Sequence, residues 1–310
     1  MPDATHHARC YPQAATAVVV FIFAFAILSF FSCKTITVAA YELDARSASS
    51  VGRTDSGTEK SAQIRIVLIT DLHSTIFGEN QSTLVGKVLE QEPDLVLLAG
   101  DIYDDKTPHD GTRLLLSGLQ PFAAQNAFQI FYVPGNHEYA TREHQALFAE
   151  LQTFGVTVLQ DSFVERTVNG RRLVIAGIDD PIRKKLVDKM YDQDALAKKV
   201  FSPLAEKTDS YKILIAHRPE KVKLYRQLPF DLIVSGHAHG GQVIIPHILN
   251  GLYAPHQGFF PKYAGGLYKH SETLTHIVSR GLCVNRVPRI GNPPELVVIT
   301  LRTAASAAKK

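Results

Sequence analysis

Five apolar runs in this chain each end in a short cluster of polar residues, and that repetition restricts the possible folds more than any other feature. Residues 64–69 lead into Thr70-Asp71-Leu72-His73, and residues 95–99 into Gly100-Asp101. Residues 130–133 lead into Gly135-Asn136-His137-Glu138, and residues 211–215 into Ala216-His217. Residues 232–234 lead into Gly236-His237-Ala238-His239-Gly240-Gly241-Gln242. A short apolar run bounded by turn residues reads as a buried strand. Between these runs lie helical patterns. Leu84, Val85, Val88 and Leu89 share one face of a helix that Ser82 can cap, and Thr141 can start another helix with Glu143 in its first turn. Residues 163–168 and 172–176 flank Asn169-Gly170, a hairpin-turn signal. Alternating strands and helices imply an α/β sheet, and the strand-rich later region implies a second sheet. No internal repeat is visible.

The clusters fall where open α/β sheets bind ligands, at the carboxyl ends of strands. Asp71, His73, Asp101, Asn136, His217, His237 and His239 form a mixed oxygen and nitrogen donor set. It has too many donors for one tetrahedral zinc and no thiolates. It suits two borderline divalent ions such as Mn, Fe or Zn, a pair that can clamp a displacement at phosphorus. Taken singly, Asp71 fits a helix cap, Asn136 a turn residue and His217 a satisfied core histidine. Taken together, the seven read as a metal site.

The 310 residues, 45% hydrophobic, are enough for one globular domain plus an amino-terminal extension. A formal charge of +3 is too small to argue for a nucleic-acid partner. Cys10, Cys33 and Cys283 have no metal-binding spacing and imply no disulfide framework. Residues 14–32 carry no charge and are mostly apolar, long enough for a membrane span. A cleaved signal segment ending near Val38-Ala39-Ala40 is the alternative. Arg9 on one side and Lys34 and Arg46 on the other nearly balance, so the positive-inside rule does not choose a membrane face. Residues 41–61, rich in small and polar residues, read as a flexible tether.

The five clusters, in order, resemble the calcineurin-like metallophosphoesterase superfamily, whose motifs run D-x-H, G-D, G-N-H-[DE], H and G-H-x-H. The resemblance covers residues 64–301. It implies an α/β fold, a β-sandwich of two mixed sheets flanked by helices. It further implies that Asp71, His73 and His239 hold one metal, that Asn136, His217 and His237 hold the other, and that Asp101 bridges them. It also implies that His137 stays off the metals and either donates a proton to the leaving oxygen or stabilises charge on the phosphoryl group, that Glu138 orients a neighbouring imidazole, and that a metal-bound hydroxide attacks phosphorus in line. Residues 100–105 lack the Asp-Arg-Gly of the protein serine/threonine phosphatases. Gly240-Gly241-Gln242, Val278-Ser279-Arg280-Gly281-Leu282, Pro288-Arg289 and Pro294-Glu295-Leu296 resemble the membrane-anchored, YkuE-like bacterial branch, grouped with UDP-diacylglucosamine hydrolases of lipid A synthesis.

The resulting organisation is a tail at 1–13, a transmembrane anchor or signal segment at 14–32, a tether at 33–62, the catalytic domain at 63–302 and a tail at 303–310. The expected activity is phosphoester hydrolysis by a single-pass protein of a bacterial inner membrane. Its expected substrate is lipid-linked, such as a UDP-diacylglucosamine-type pyrophosphate. A hydrolase of soluble esters and a non-catalytic scaffold are the alternatives; retention of all seven ligands and His137 opposes the scaffold. Residues 181–210, charged and helical, and 249–268, rich in Gly, Pro and aromatics, read either as lids or as a solvated helix and a packed loop. Of His6, His7, His109, His144, His247, His256, His270 and His276, most read as surface or loop residues.

Overall fold

The computed structural model describes residues 35–45, 63–284 and 289–302, together with Thr16, Val19, Val20 and Phe23. The strands are β1 (Thr37–Asp44), β2 (Gln63–Ile69), β3 (Leu95–Ala99), β4 (Gln129–Val133), β5 (Thr157–Val158), β6 (Ser162–Val168), β7 (Arg171–Ile178), β8 (Tyr211–Ala216), β9 (Leu232–Ser235), β10 (Tyr253–Ala254), β11 (Gly258–Phe259), β12 (Gly266–Lys269), β13 (Thr275–Val278) and β14 (Glu295–Arg302). The helices are α1 (Ser82–Leu89), α2 (Asp110–Ala124), α3 (Asn136–Ala140), α4 (His144–Thr153), α5 (Arg183–Leu186), α6 (Gln193–Phe201) and α7 (Val222–Tyr225).

Two six-stranded sheets carry the fold, in the orders β1-β14-β2-β3-β4-β5 and β12-β13-β9-β8-β7-β6. Both are mixed. β2 through β5 run parallel while β14 opposes β2; β7, β8, β9 and β13 run parallel while β6 and β12 are antiparallel edges. Alternation along each strand sends side chains to two different cores. Ile66, Leu68, Leu95 and Leu97 face Ile175, Ile213, Ile215 and Val234 between the sheets. Val67, Ile69, Val96 and Leu98 face outward onto Leu84 and Val88 of α1, Leu115 and Leu119 of α2, and Leu147 and Leu151 of α4. Val174, Leu214 and Ile233 pack likewise on Ala197 and Phe201 of α6 and Leu224 of α7. Strands covered on both faces need apolar residues at every position, hence continuous runs rather than alternation. Burying each such side chain contributes about 1.5–3 kcal/mol.

The expected α/β sandwich, with helices on both outer faces, is the fold observed. β6 and β7 pair antiparallel across Asn169-Gly170 as the turn signal requires. Ser82 opens α1, but no side-chain cap hydrogen bond forms there. The helix expected from Thr141 instead begins at His144; Thr141 closes α3, and its hydroxyl donates to the Glu138 carbonyl at 2.7 Å. Residues 181–210 are not one helix. Asp192 starts α6 afresh by accepting from the Ala195 amide. Residues 249–268 contain the small hairpin β10–β11, with Phe259 and Phe260 each 70% exposed.

One boundary needs correction. The tether expected over 33–62 contains β1, which pairs with β14 over its whole length, from Thr37 opposite Glu295 to Asp44 opposite Arg302. Ala39, Tyr41 and Leu43 pack against the core between the sheets, and Ile36 is buried. Their alternation with outward residues is the strand signal. The domain therefore starts near residue 36, and Val38-Ala39-Ala40 lies inside a strand. Residues 46–62, the tails at 1–13 and 303–310, and most of 14–32 lie outside the described residues. Among the described residues, no helix is long and apolar enough to cross a membrane.

Candidate metal centre

All five clusters fall at the same end of the sandwich because their strands are parallel within each sheet. β2 and β3 deliver Asp71, His73 and Asp101; β4 delivers Asn136 at the start of α3; β8 and β9 deliver His217, His237 and His239. Asp71 (φ 50°), His73 (45°), Asp101 (52°), His237 (65°) and His239 (47°) all sit in the left-handed region. Each costs on the order of 1 kcal/mol relative to ordinary backbone. Left-handed turns immediately after the strands re-aim these side chains towards one point. Gly100 (φ 82°) makes the crossing possible, since a Cβ there would strike the backbone of Gly135 and the His217 ring. A Cβ on Gly135 would in turn strike the Asp101 carboxylate.

Among the described residues four groups of potential ligand atoms result; two of them, His73 with Asp104 and His137, and His237 with Glu220 and His256, bring in residues outside the expected ligand set. Asp71, His73 and His239 converge, as do Asp101, His217 and His237. Asp101 lies between them: its Oδ2 is 3.1 Å from His217 Nε2 and 3.7 Å from His73 Nε2. His239 Nε2 is 3.7 Å from Asp71 Oδ1, and the His239 and His73 rings stack at 5.2 Å. Asp71 also accepts the His237 amide at 3.0 Å, tying the two groups together.

Neighbouring groups select the free nitrogen of several imidazoles. His73 Nδ1 donates to Asp104 Oδ1 at 3.2 Å and His217 Nδ1 donates to the Ala99 carbonyl at 2.9 Å, so each directs Nε2 inward. His237 is held the other way round. Its Nε2 lies 3.0 Å from His256 Nδ1, and its Nδ1 faces His217 Nε2 at 3.2 Å. His256 Nδ1 accepts from Arg218 Nη1 at 2.8 Å, and Arg218 Nε donates to the buried Asp180 at 2.6 Å. Such outer partners fix ring orientation at metal sites and raise ligand basicity.

The centre is electrostatically tense. Burial alone would raise the Asp101 carboxyl, but the imidazoles of His217, His137 and His73 outweigh it and hold it well below the usual carboxylate range. Burial would lower His217, but Asp101, with Asp71 and Asp180, raises it to about 10. Burial depresses His239 to about 3, and burial with the nearby charge of His217 and Arg218 also depresses His237. Three buried atoms on these ligand-type residues make no hydrogen bond: His73 Nε2, Asp101 Oδ2 and Asn136 Oδ1. Buried polar atoms are normally paired, and leaving one unmade costs about 1–3 kcal/mol. Two are acceptors by chemistry, and the His73 tautomer makes the third a lone pair. An oxygen and nitrogen set with inward lone pairs fits divalent cations.

His137 stands at the rim. Its amide donates to Asp101 Oδ1 at 2.9 Å and its Nδ1 to Asp105 Oδ1 at 2.6 Å, while Nε2 lies 3.9 Å from Asp101 Oδ2. Its side chain keeps 17% exposure, against 1% for Asp101. Glu138 does not orient an imidazole, contrary to expectation. Its two oxygens accept the amides of Asp101, Ile102, Tyr103 and Gly135 at 2.7–3.1 Å. At 0% exposure it clamps the second and third motifs together. Burial and the neighbouring Asp101 raise its carboxyl.

Sequence reasoning missed Asp104, Asp105, Arg218, Asp180 and His256. The first two were discoverable, as carboxylates three and four positions after a ligand. His256 arrives from a hairpin with no local signal. His276 is an exception among the remaining histidines: it is fully buried, with Nε2 2.9 Å from the Ser235 hydroxyl.

The sequence profile of the calcineurin-like phosphoesterase family matches residues 64–241, a span containing all seven ligand-type residues. An uncharacterized metallophosphoesterase of Helicobacter pylori strain J99 is 31% identical over 246 residues, covering 77% of this chain and 60% of that protein. One from Aquifex aeolicus is 31% identical over 250 residues, covering 78% and 87%. A transmembrane protein with metallophosphoesterase domain from Danio rerio is 29% identical over 252 residues, covering 78% and 54%. The chain thus spans about 60% of the length of the Helicobacter relative.

Proposed function

Because this chain belongs to the calcineurin-like phosphoesterase family, we propose that it is a dimetal-dependent phosphoester hydrolase working at a membrane surface on a lipid-linked ester or pyrophosphate. The observation that carries the hydrolase reading is that His73 Nε2, Asp101 Oδ2 and Asn136 Oδ1, all on ligand-type residues, are buried and without hydrogen bonds, the first two only 3.7 Å apart. Asp71, His73 and His239 would hold one ion and Asn136, His217 and His237 the other, with Asp101 shared. When bound, such ions activate water as nucleophile and neutralise phosphate oxygens.

The remaining work belongs to the chain itself. Asp104 and the Ala99 carbonyl keep the imidazoles of His73 and His217 in the tautomers that face inward, and His256 packs 3.0 Å from His237 Nε2. Glu138 fixes the backbone that aims Asp101. His137 Nε2, at the rim, is the atom that hands a proton to the leaving oxygen. The Asp105 carboxylate on its Nδ1 stabilises the imidazolium from which that proton comes.

The membrane and lipid reading is supported by the uncharged apolar stretch 14–32, by the exposed Phe259 and Phe260 beyond the last ligand, and by Lys184, Lys185 and Lys189 for anionic headgroups. The resemblance of the tail motifs to the YkuE-like branch supports the same reading. Elemental analysis of the full chain should find two divalent ions, and chelation should abolish turnover of p-nitrophenyl phosphoesters. Full activity with at most one ion per chain would refute the dimetal reading. Turnover of lipid-linked and soluble esters of matched chemistry then decides the substrate class; equal rates would remove the lipid preference.

A further inference from the structure

We propose that this domain docks onto the lipid surface by the end that carries the metal centre, so that the mouth of the site faces anionic headgroups. The inference rests on reading 14–32 as a membrane span.

The first argument is where the chain enters the fold. Thr37, the first residue of β1, pairs with Glu295, and its amide donates to the Pro294 carbonyl at 2.9 Å. β14 is antiparallel to β2, with Val297 opposite Leu68, so Glu295 lies beyond the carboxyl end of β2, level with the turn that carries Asp71. The amide of Glu295 donates to Gly281, and a Cβ on Gly281 would press on the Asp71 side chain. The amino-terminal segment therefore joins the sandwich at its metal-centre end. Only residues 33–36 separate the apolar stretch from β1, a reach of at most about 14 Å even when fully extended. Ile36 is buried, which shortens the free link further. A span at 14–32 leaves the domain no freedom to present its opposite end.

The second argument is the distribution of exposed apolar side chains. Within the domain these are Val38, Ile76, Phe122, Leu186, Val187, Met190, Ile245, Ile248, Tyr253, Phe259 and Phe260. Ile76 follows β2, the 186–190 group follows β7, the 245–260 group follows β9, and Val38 is the second residue of β1. All of these extend from the metal-centre end, and Phe122, in the last turn of α2, is the exception. Met190 and Ile248 are 87% and 81% exposed, which in water wastes apolar surface. Exposed Lys184, Lys185 and Lys189 are interleaved with the first group, and Lys262 flanks the second. Apolar tips among lysines at one end of a domain match an anionic interface, where tips enter the acyl boundary and ammonium groups meet phosphate.

The test uses the full chain in vesicles of phosphatidylethanolamine and phosphatidylglycerol, carrying Cys10→Ser and Cys33→Ser so that buried Cys283 is the only native thiol. Single cysteines replacing Ile248, Met190 or Phe122 carry an environment-sensitive fluorophore, and bilayer penetration is read by quenching from spin-labelled lipids. Quenching at 248 and 190 at least about threefold above that at 122 is expected. Equal quenching at all three, or none, overturns the proposal. Energy transfer between labels on two chains, in place of quenching by lipid, also overturns it, assigning the face to self-association. In a second arm, a flexible Gly/Ser insert of about twenty residues after Lys34 lengthens the link without touching the fold. Turnover of a lipid-linked ester should fall several-fold while a soluble p-nitrophenyl ester is unaffected. An insert without effect on either ester overturns the orientation. Loss of soluble turnover in the parent chain would instead sink the hydrolase reading and leave the quenching result standing.

Discussion

At the amino ends of β2 and β3, Asp94 accepts the Arg65 amide at 2.7 Å and the Asn169 side chain at 3.0 Å, while Arg65 Nη1 donates to the Gln91 carbonyl at 2.7 Å. At the carboxyl ends of the same strands, Asp71, His73 and Asp101 adopt left-handed backbone, and His73 Nε2 and Asp101 Oδ2 make no hydrogen bond. The apolar strands are common to both ends, so burial alone cannot account for the difference. One end closes its polar groups on each other and holds the sheet; the other leaves them open to a ligand. Departures from local rules concentrate at functional sites, and here they mark the site more sharply than shape does. The amino-terminal end contains a concavity of about 570 Å³ lined by Arg65, Asp94, Phe122 and Asn169, and among the described residues no ligand cluster lies there.

The contrast can be broken by exchanging the expected outcomes of substitutions at the two ends. The largest effect is expected from Asp101→Ala, which removes the carboxylate lying between the two ligand groups. Metal occupancy should drop and turnover should fall by about 10³ or more, since ions at such sites supply several kcal/mol of charge stabilisation. Undiminished occupancy by elemental analysis would show that Asp101 is no bridge.

Next comes His137→Ala. It should keep both ions and lower turnover by roughly 10²–10⁴. The loss should be smaller on esters with very acidic leaving groups, because those need no proton. A uniform loss across leaving groups would argue against proton donation from Nε2 and for a role in positioning alone.

The smallest effect on turnover, and the largest on stability, belongs to Asp94→Ala. Removing an acceptor from the Arg65 amide should destabilise the fold by about 1–3 kcal/mol, read as a lower midpoint in urea. Turnover at a temperature where the protein stays folded should not change. If it fell as far as in His137→Ala, the two ends would be coupled and the comparison would collapse.

The sequence determined whatever is written in neighbouring residues. Continuous apolar runs specify strands covered on both faces, and a polar cluster after each run specifies what those strands carry. Asn169-Gly170 specifies a hairpin because few other pairs turn that tightly. All seven ligand-type residues could therefore be named before any coordinates. β1 was missed because its alternation sits in a segment of small and polar residues, and because its partner β14 is more than 250 positions away. Glu138 was named but misassigned. A sequence shows a carboxylate beside a ligand, yet only packing decides that four backbone amides reach it before any imidazole does. His256, Arg218 and Asp180 come from three different connections and meet behind His237 only when the second sheet is assembled. Local chemistry fixes which atoms can bind a metal; long-range pairing fixes which nitrogen of each ring faces it, and which end of the domain the chain enters.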